Sequence, residues 1–536
     1  MSDKETSAVV EERSEEDRIL EWVKTRFADL EVEARNRLDR TLRRAIHPFL
    51  TDIRTPFYNG INRSEIAELL KQEIGEAPFI ELAEIDNNEL NNLSPYSTRP
   101  GWNERKETVT SYQTQYFNGD LDALASAVAA VKPLLPMNSV PLWDWKRTID
   151  RSPKSTMKGL PTMSSEPRYE KLYIDRAHRI NDPSDVFEYV LGWRGQASGS
   201  FMAKARVVFM ADRAGVLRDL RFVYPIVEAL SGSHGFEPWL GQDMVDEGAT
   251  ILLRKSDGRR VISSDYSKFD SSLPAEIIDS VCEIIKYWTV GSFDFDLSFE
   301  VFKTHGLVCP DGIYYRNGGV PSGSGMTNLV DTIANLILAY YVSFRLNVPL
   351  IDFMVQGDDC VVVYEKDIAP EIYGETLAEV GMSANPEKQY VSDTSIHFLQ
   401  RWHSVEYVRN NKSVGIHSPY RTLVGATGQE LYFNLKEIKD ISCFHTARWG
   451  MQWENLRNHY DFSGCCRFLR EGDRNLRKGM DLVTAVRKAG GASAVRSTLR
   501  IASFPFNVQN PEGVDGFATT RVLRQLNREK GLNGTS

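Results

Sequence analysis

Apolar and polar positions change their period several times along the chain. Residues 1 to about 50 are dense in charge, and "ILEWVKTRFADLEVEARNRLDRTLRRAI" spaces its apolar residues as one face of a helix. That spacing predicts an amphipathic helix packed on a larger body, with its charges solvated. From about 80 to 200, Pro, Gly, Asn and Trp interrupt short apolar runs, and no regular element is predicted. Between about 200 and 400, strands and helices alternate. "RRVISSD" reads as a strand ending at Asp265, and "LPAEIIDSVCEIIKYW" carries Ile277, Ile278, Val281, Ile284, Ile285 and Trp288 at helical spacing. Ser271 or Ser272 is expected to cap that helix, with Pro274 in its first turn. "NLVDTIANLILAYYVSF" is the most apolar long segment; Asp331 and Asn335 interrupt it, so a buried helix is expected rather than a membrane span. "FMVQGDDCVVVY" predicts a hairpin with Gly357 at its turn and Asp358 and Asp359 at an exposed corner. Beyond about 400 the pattern is helical, and Trp449 and Trp453 fall on one helical face as core anchors. The final "NVQNPEGVDGFATTRVLRQLNREKGLNGTS" is polar and ends Gly-rich, which predicts a mobile arm.

Composition bounds the possibilities without choosing among them. The 536 residues suggest roughly three or four domains or subdomains, and 42% hydrophobic with 26% charged residues is a globular balance. The six cysteines show no metal-ligand spacing or disulfide density, so a reduced, intracellular setting is expected. The acidic N-terminus lacks the pattern of a signal peptide. A net charge of -9 argues against nucleic-acid binding over the whole surface, yet allows a basic channel inside an acidic shell. Ala447 to Arg500 holds eleven Lys or Arg against five Asp or Glu; helices there would suit an RNA backbone, and a solvated helix surface explains the count almost as well.

Adjacent carboxylates at a rigid corner repel unless a cation or basic partner offsets them. Ordinary turn chemistry accounts for Gly357 and Asp358 taken alone, and helix capping accounts for Asp270 alone. Asp265 and Asp358, from separate strands, suit two divalent ions about 3.5–4 Å apart, the clamp of phosphoryl transfer. Mg²⁺ fits an oxygen-rich site of this kind. Between the acids lies "NGGVPSGSGMTNLVDTIAN", whose glycines and serines free the backbone to approach a ligand, while the following helix puts Thr327, Asp331 and Asn335 on one face. It lacks the Gly-Lys-Ser or Gly-Lys-Thr of a Walker loop, and Asn328 stands where a dinucleotide fingerprint needs its third glycine.

The ordered set "DYSKFD", "GGVPSGSGMTNLVD" and "QGDDC" resembles motifs A, B and C of viral RNA-dependent RNA polymerases, within roughly residues 150 to 405. The likeness points to the double-stranded RNA virus group of picobirnaviruses and partitiviruses. It implies Asp265 and Asp358 as catalytic metal ligands for Mg²⁺, with Mn²⁺ as substitute, and Asp359 assisting. Asp270 would sense the ribose 2′-hydroxyl, and Ser322, Gly323 and Thr327 would line the nucleotide and template site. Asp331 stands where many positive-strand virus polymerases have Asn, which leaves the partner of Asp270 open. "AKARVVF" resembles motif F, with Lys204 and Arg206 on the incoming triphosphate; a surface strand is the plain alternative. "MKGLPT" keeps Gly159 and Pro161 of the template-entry motif G, with Met157 in place of its usual Ser. "NPEKQY" puts Lys388 where motif D has a general acid, or an exposed turn Lys, and "HFLQRWH", with Leu399 and Arg401, resembles the motif E hairpin beneath the primer end.

The resemblance implies an α+β right-hand polymerase with an antiparallel palm sheet, fingers and a helical thumb, fingers and thumb being linked into an enclosed form. The expected divisions are an N-terminal helical extension (1–60), fingers (61–255), palm (256–400) with a fingers insertion around 290–320, thumb (401–506) and tail (507–536). Its substrates would be an RNA template and ribonucleoside triphosphates, its partner the viral capsid protein, and its place the virion interior and host cytoplasm, with no membrane. A reverse transcriptase shares the palm, but polar Asp270 and Gly357 favour RNA synthesis. A non-catalytic RNA-binding or capsid-associated protein on the same scaffold would differ in lacking metal-dependent incorporation.

Overall fold

The computed structural model describes residues 15–153, 158–291, 293–432, 438–491 and 513–531. Met157, Arg496, Arg500 and the first six residues of the expected arm lie outside them.

The N-terminal apolar stripe forms two helices, Glu15–Arg26 and Val32–Ile46, rather than one. Phe27 and Leu30 turn inward at the break between them. Val23, Leu38 and Leu42 then bury against Leu160, Val190, Met210 and Val308. Val190, Met210 and Val308 belong to a four-stranded sheet ordered Lys204–Met210, Tyr189–Gln196, Leu307–Cys309, Gly312–Tyr314. Its last two strands come from the segment expected as an insertion. Leu307–Cys309 returns across the chain to pair, parallel, with Tyr189–Gln196, and Gly312–Tyr314 adds to it antiparallel.

A second four-stranded sheet, antiparallel throughout, is ordered Tyr390–Ser392, Val261–Ser264, Asp359–Tyr364, Leu350–Gln356. The helix Thr327–Leu346 supports the sheet and is 78% buried over its most apolar window, as expected of a core helix. The main core joins it to Ala275–Trp288 and Leu121–Val131. Neither Ser271 nor Ser272 caps Ala275–Trp288. Phe269–Ser272 forms a turn of helix of its own, ending at Leu273, and Pro274 occupies the cap position.

The helical pattern expected beyond about 400 is corrected at its start, where Arg401–Ser404 pairs antiparallel with Ser395–Phe398 and Ile416–His417; from Pro419 on, the described elements are helical. Trp449 and Trp453 of Ile441–Trp453 are buried as anchors, packed on Phe57, Phe468 and Leu523. Removing an aromatic anchor of that kind costs about 3–5 kcal/mol. The expected mobile arm is corrected over its described part: Ala518–Glu529 is a helix that buries Leu523 and Leu526 in this core. Its first amides are met by Glu454, which accepts from Ala518 N at 3.0 Å and Thr519 N at 2.9 Å.

Residues between the second helix and Ile74 cross from one body to the other. Thr55 N donates to Thr427 O at 3.1 Å, and Phe57, Ile66 and Leu70 enter the C-terminal core. A second crossing joins the end of the Tyr189–Gln196 strand, where Gly195 N donates to Glu430 Oε1 at 2.8 Å.

Candidate active site

Strand register decides which acids meet. Ser264 pairs with Cys360, so the next residue, Asp265, leaves the sheet beside Asp359 and the hairpin tip. Gly357 takes φ +62° at that tip, a conformation that favours glycine. Asp265 and Asp358 are exposed and Asp359 half-buried. Two neighbours fix this corner. Asn335 Nδ2 donates to Gly357 O at 3.1 Å, and Gly357 N donates to Thr332 Oγ1 at 2.9 Å, so the long helix clamps the turn. Gln389 fixes Asp265, accepting from its N–H at 3.2 Å and donating to its carbonyl at 2.9 Å.

The electrostatics are those of crowded carboxylates. Burial, then the charge of Asp358, pushes the Asp270 and Asp359 carboxyls up, each to about 7. Asp265 is raised by the same two causes, opposed by Lys388, Lys204 and Arg206. Lys204 is lowered, first by desolvation and then by Arg206 and Lys388. Three exposed cations thus surround the acids. Among the described residues no three His, Cys, Asp or Glu side chains converge tightly enough to hold an ion alone. The carboxylates still fit Mg²⁺, which takes one or two from a protein and completes its shell with water and substrate phosphate.

The glycine-serine loop is pinned from three sides. Val320 N donates to Asp270 O at 2.7 Å. Ser322 Oγ donates to Val207 O and accepts from Phe209 N, both at 3.3 Å, and Thr327 Oγ1 donates to Pro321 O at 2.8 Å. Ser322 and Gly323 therefore lie against the backbone of the Lys204–Met210 strand. On the third side Asp219 Oδ2 accepts from Ser324 Oγ and Gly325 N, both at 3.1 Å.

Asp331 is buried, its Oδ1 without a hydrogen-bond partner. Burial first, then Asp270 and Asp358, hold its carboxyl well above the ordinary value.

Some expected residues are placed elsewhere. Arg401 is corrected as an RNA contact: it is buried, with its guanidinium donating to Asn455 O at 3.0 Å and Asn455 Oδ1 at 3.2 Å. Gly159 is buried, and a Cβ there would overlap the Met210 carbonyl oxygen, so packing alone explains the glycine. Pro161 is half-buried in the same segment. The C-terminal basic excess is partly spent internally: Arg457 pairs with Asp243, Arg467 with Glu73 at 2.6 Å and Arg470 with Glu471 at 3.1 Å. Sequence reasoning missed Asp219, Thr332 and Gln389. Only Gln389 carried a local signal, its place beside Lys388.

Residues 202–412 match the family described as viral RNA-dependent RNA polymerase. The chain is 26% identical over 401 residues to a potential RNA-dependent RNA polymerase of Human picobirnavirus (strain Human/Thailand/Hy005102/-), covering 71% of this chain and 75% of the relative. It is 24% identical over 217 residues to the RNA-directed RNA polymerase of Cryptosporidium parvum virus 1, covering 37% and 40%. In fold it is similar to the crystal structure of the RNA-dependent RNA polymerase of a human picobirnavirus, with TM-score 0.75 and 22% identity over 90% of this chain and 96% of that one.

Proposed function

From a chain whose residues 202–412 belong to the viral RNA-dependent RNA polymerases, an enzyme family, we propose two-metal, template-directed RNA synthesis in genome replication and transcription of a double-stranded RNA virus. One observation carries the chemistry: the register that sets Asp265 beside the Asp358–Asp359 tip, with Lys204, Arg206 and Lys388 facing the same acids. Asp265 and Asp358 would hold Mg²⁺ or Mn²⁺, with Asp359 assisting. Bound divalent ions supply stabilisation of negative charge on the attacking and leaving oxygens.

The remaining roles belong to this chain's own groups. Lys204 and Arg206 neutralise the incoming triphosphate, and Lys388 gives a proton to departing pyrophosphate. Asp270 takes the hydrogen bond of the ribose 2′-hydroxyl, which sorts ribo- from deoxynucleotides. Ser322, Gly323 and Thr327 shape the loop against which nucleotide and template settle, and buried Asp331, whose carboxyl feels the charge of Asp270, belongs to the same nucleotide site. Gly159 and Pro161 shape the template entry by their packing. In this reading 61–255 with the strands near 307–314 are fingers, 256–400 the palm and 401–506 the thumb. The two crossings support an enclosed form. The capsid protein would be its partner, in the virion interior and host cytoplasm.

The test is incorporation of labelled ribonucleotides on a single-stranded RNA template with Mg²⁺ or Mn²⁺, set against Asp358→Asn and against deoxynucleotides. Ribonucleotide-selective synthesis that the variant loses is expected. RNA binding without synthesis, even with a primer, would instead favour the non-catalytic scaffold.

A further inference from the structure

The glycine-serine loop is tied to its surroundings by contacts of different kinds. Toward Asp270 it is held backbone to backbone, and toward the Lys204–Met210 strand by one hydroxyl. Its third anchor is a side chain from outside every motif. Asp219 lies on Arg213–Leu230, the helix that follows the basic strand directly. Its Oδ2 takes the Ser324 hydroxyl and the Gly325 amide together. Burial raises this carboxyl to about 7, and Ser298 from the helix Phe293–Thr304, Ser324 and the Gly325 amide oppose that rise.

The fit leaves no room for another arrangement. A Cβ at Gly325 would stand 2.7 Å from Asp219 Cβ and 3.1 Å from Val216 O, so only glycine brings this amide to the carboxylate. Ser324 also spans the start of the long helix, its Oγ accepting from Met326 N at 3.2 Å. That helix clamps the tip bearing Asp358 through Thr332 and Asn335. Asp219 thus sits where the helix behind the triphosphate-facing strand, the loop and the base of the helix under the acids converge. Burying a carboxyl is costly unless donors meet it, and here the Ser324 hydroxyl and the Gly325 amide do.

We propose that Asp219 is a positioning residue for nucleotide binding: through Ser324 and Gly325 it fixes the loop in the shape that receives the incoming ribonucleotide. This rests on the polymerase reading. Asp219 touches neither substrate nor the acids, so its effect falls on ribonucleotide affinity and not on the chemical step.

The experiment uses the full chain, with KM and kcat for ribonucleotide incorporation measured for the native protein, Asp219→Ala, Asp219→Asn and Ser324→Ala, alongside melting curves. Asp219→Ala is expected to raise KM about ten-fold with kcat held within about three-fold, the signature of lost binding. Asp219→Asn, which keeps an acceptor oxygen for both donors, should restore KM to within about three-fold of native. If Asp219→Ala fails to fold, Ser324→Ala decides, with an expected KM rise of about three-fold. Unchanged KM in a folded variant, or a loss confined to kcat, would overturn the proposal while leaving the polymerase reading intact. A native chain that makes no RNA would overturn both.

Discussion

Adding one methyl group at Gly323 probes how closely the loop lies on the basic strand. A Cβ there would overlap the Phe209 carbonyl oxygen and stand 2.9 Å from the Phe209 carbonyl carbon, against backbone that no rotamer change can move aside. Gly323 does not have positive φ, so conformational strain plays no part and close approach is the only perturbation. Restoring an ordinary contact requires a shift of more than about 1 Å between loop and strand. The two Ser322 bonds to Val207 and Phe209 are already 3.3 Å long and would not survive that shift. Displacement of a substrate-positioning element on this scale costs about a hundred-fold in rate, or about 2.7 kcal/mol of activation free energy. Gly323→Ala should therefore lower kcat/KM for ribonucleotide incorporation about a hundred-fold. Gly232→Ala is the control, because nothing lies within 4 Å of its Cβ position. Synthesis by Gly323→Ala within about three-fold of native, with an unchanged melting curve, would refute the reasoning.

Three further outcomes follow from buried groups. Asp331, whose carboxyl burial and then Asp270 and Asp358 hold well above its ordinary value, should tolerate Asp331→Asn with incorporation within about three-fold of native, since the amide matches it in shape; a collapse in rate would mean that an ionised carboxylate is needed. His234 bonds Glu237 at 2.5 Å and Asp352 at 2.9 Å; these partners outweigh desolvation and raise its pKa to about 9. Its folded value is raised, so the stabilisation is complete below the ordinary value near 6.5 and fades as pH rises through about 9. In urea unfolding, His234→Gln should cost about 2 kcal/mol more at about pH 6 than at about pH 10, and an equal cost at both would contradict this. Glu454→Ala strips the acceptor from the Ala518 and Thr519 amides and should lower stability by about 2–3 kcal/mol; a loss under about 0.5 kcal/mol would show that the last helix caps itself.

The elements most legible in the sequence were those whose signal is local. Runs of strand-forming apolar residues on either side of Gly357 and the long apolar stretch after Thr327 specify a hairpin and a buried helix without reference to anything distant. The order of the acidic motifs was equally visible, and the strand expected to end at Asp265 ends one residue earlier, at Ser264. What escaped depends on partners far along the chain. Arg401 reads as a free cation until Asn455 comes to meet it, and Asp219 is one acid in an amphipathic helix until Ser324 folds onto it. The polar composition of "ATTRVLRQLNRE" concealed a helix whose N-terminal amides are satisfied by Glu454. Deleting the tail from about 507 would remove that packed helix, so such a deletion tests folding of the C-terminal core.

That core also imposes an order on the birth of the molecule. Phe57, Ile66 and Leu70 leave the ribosome long before their partners Leu523 and Leu526. At about 5–20 residues per second the early segment waits roughly half a minute or more for the surface that will cover it. During that time its apolar face is available to chaperones or to other nascent chains. A message truncated before the codons for Ala518–Glu529 would yield a chain with Asp265, Asp358 and Asp359 present and its C-terminal core unclosed.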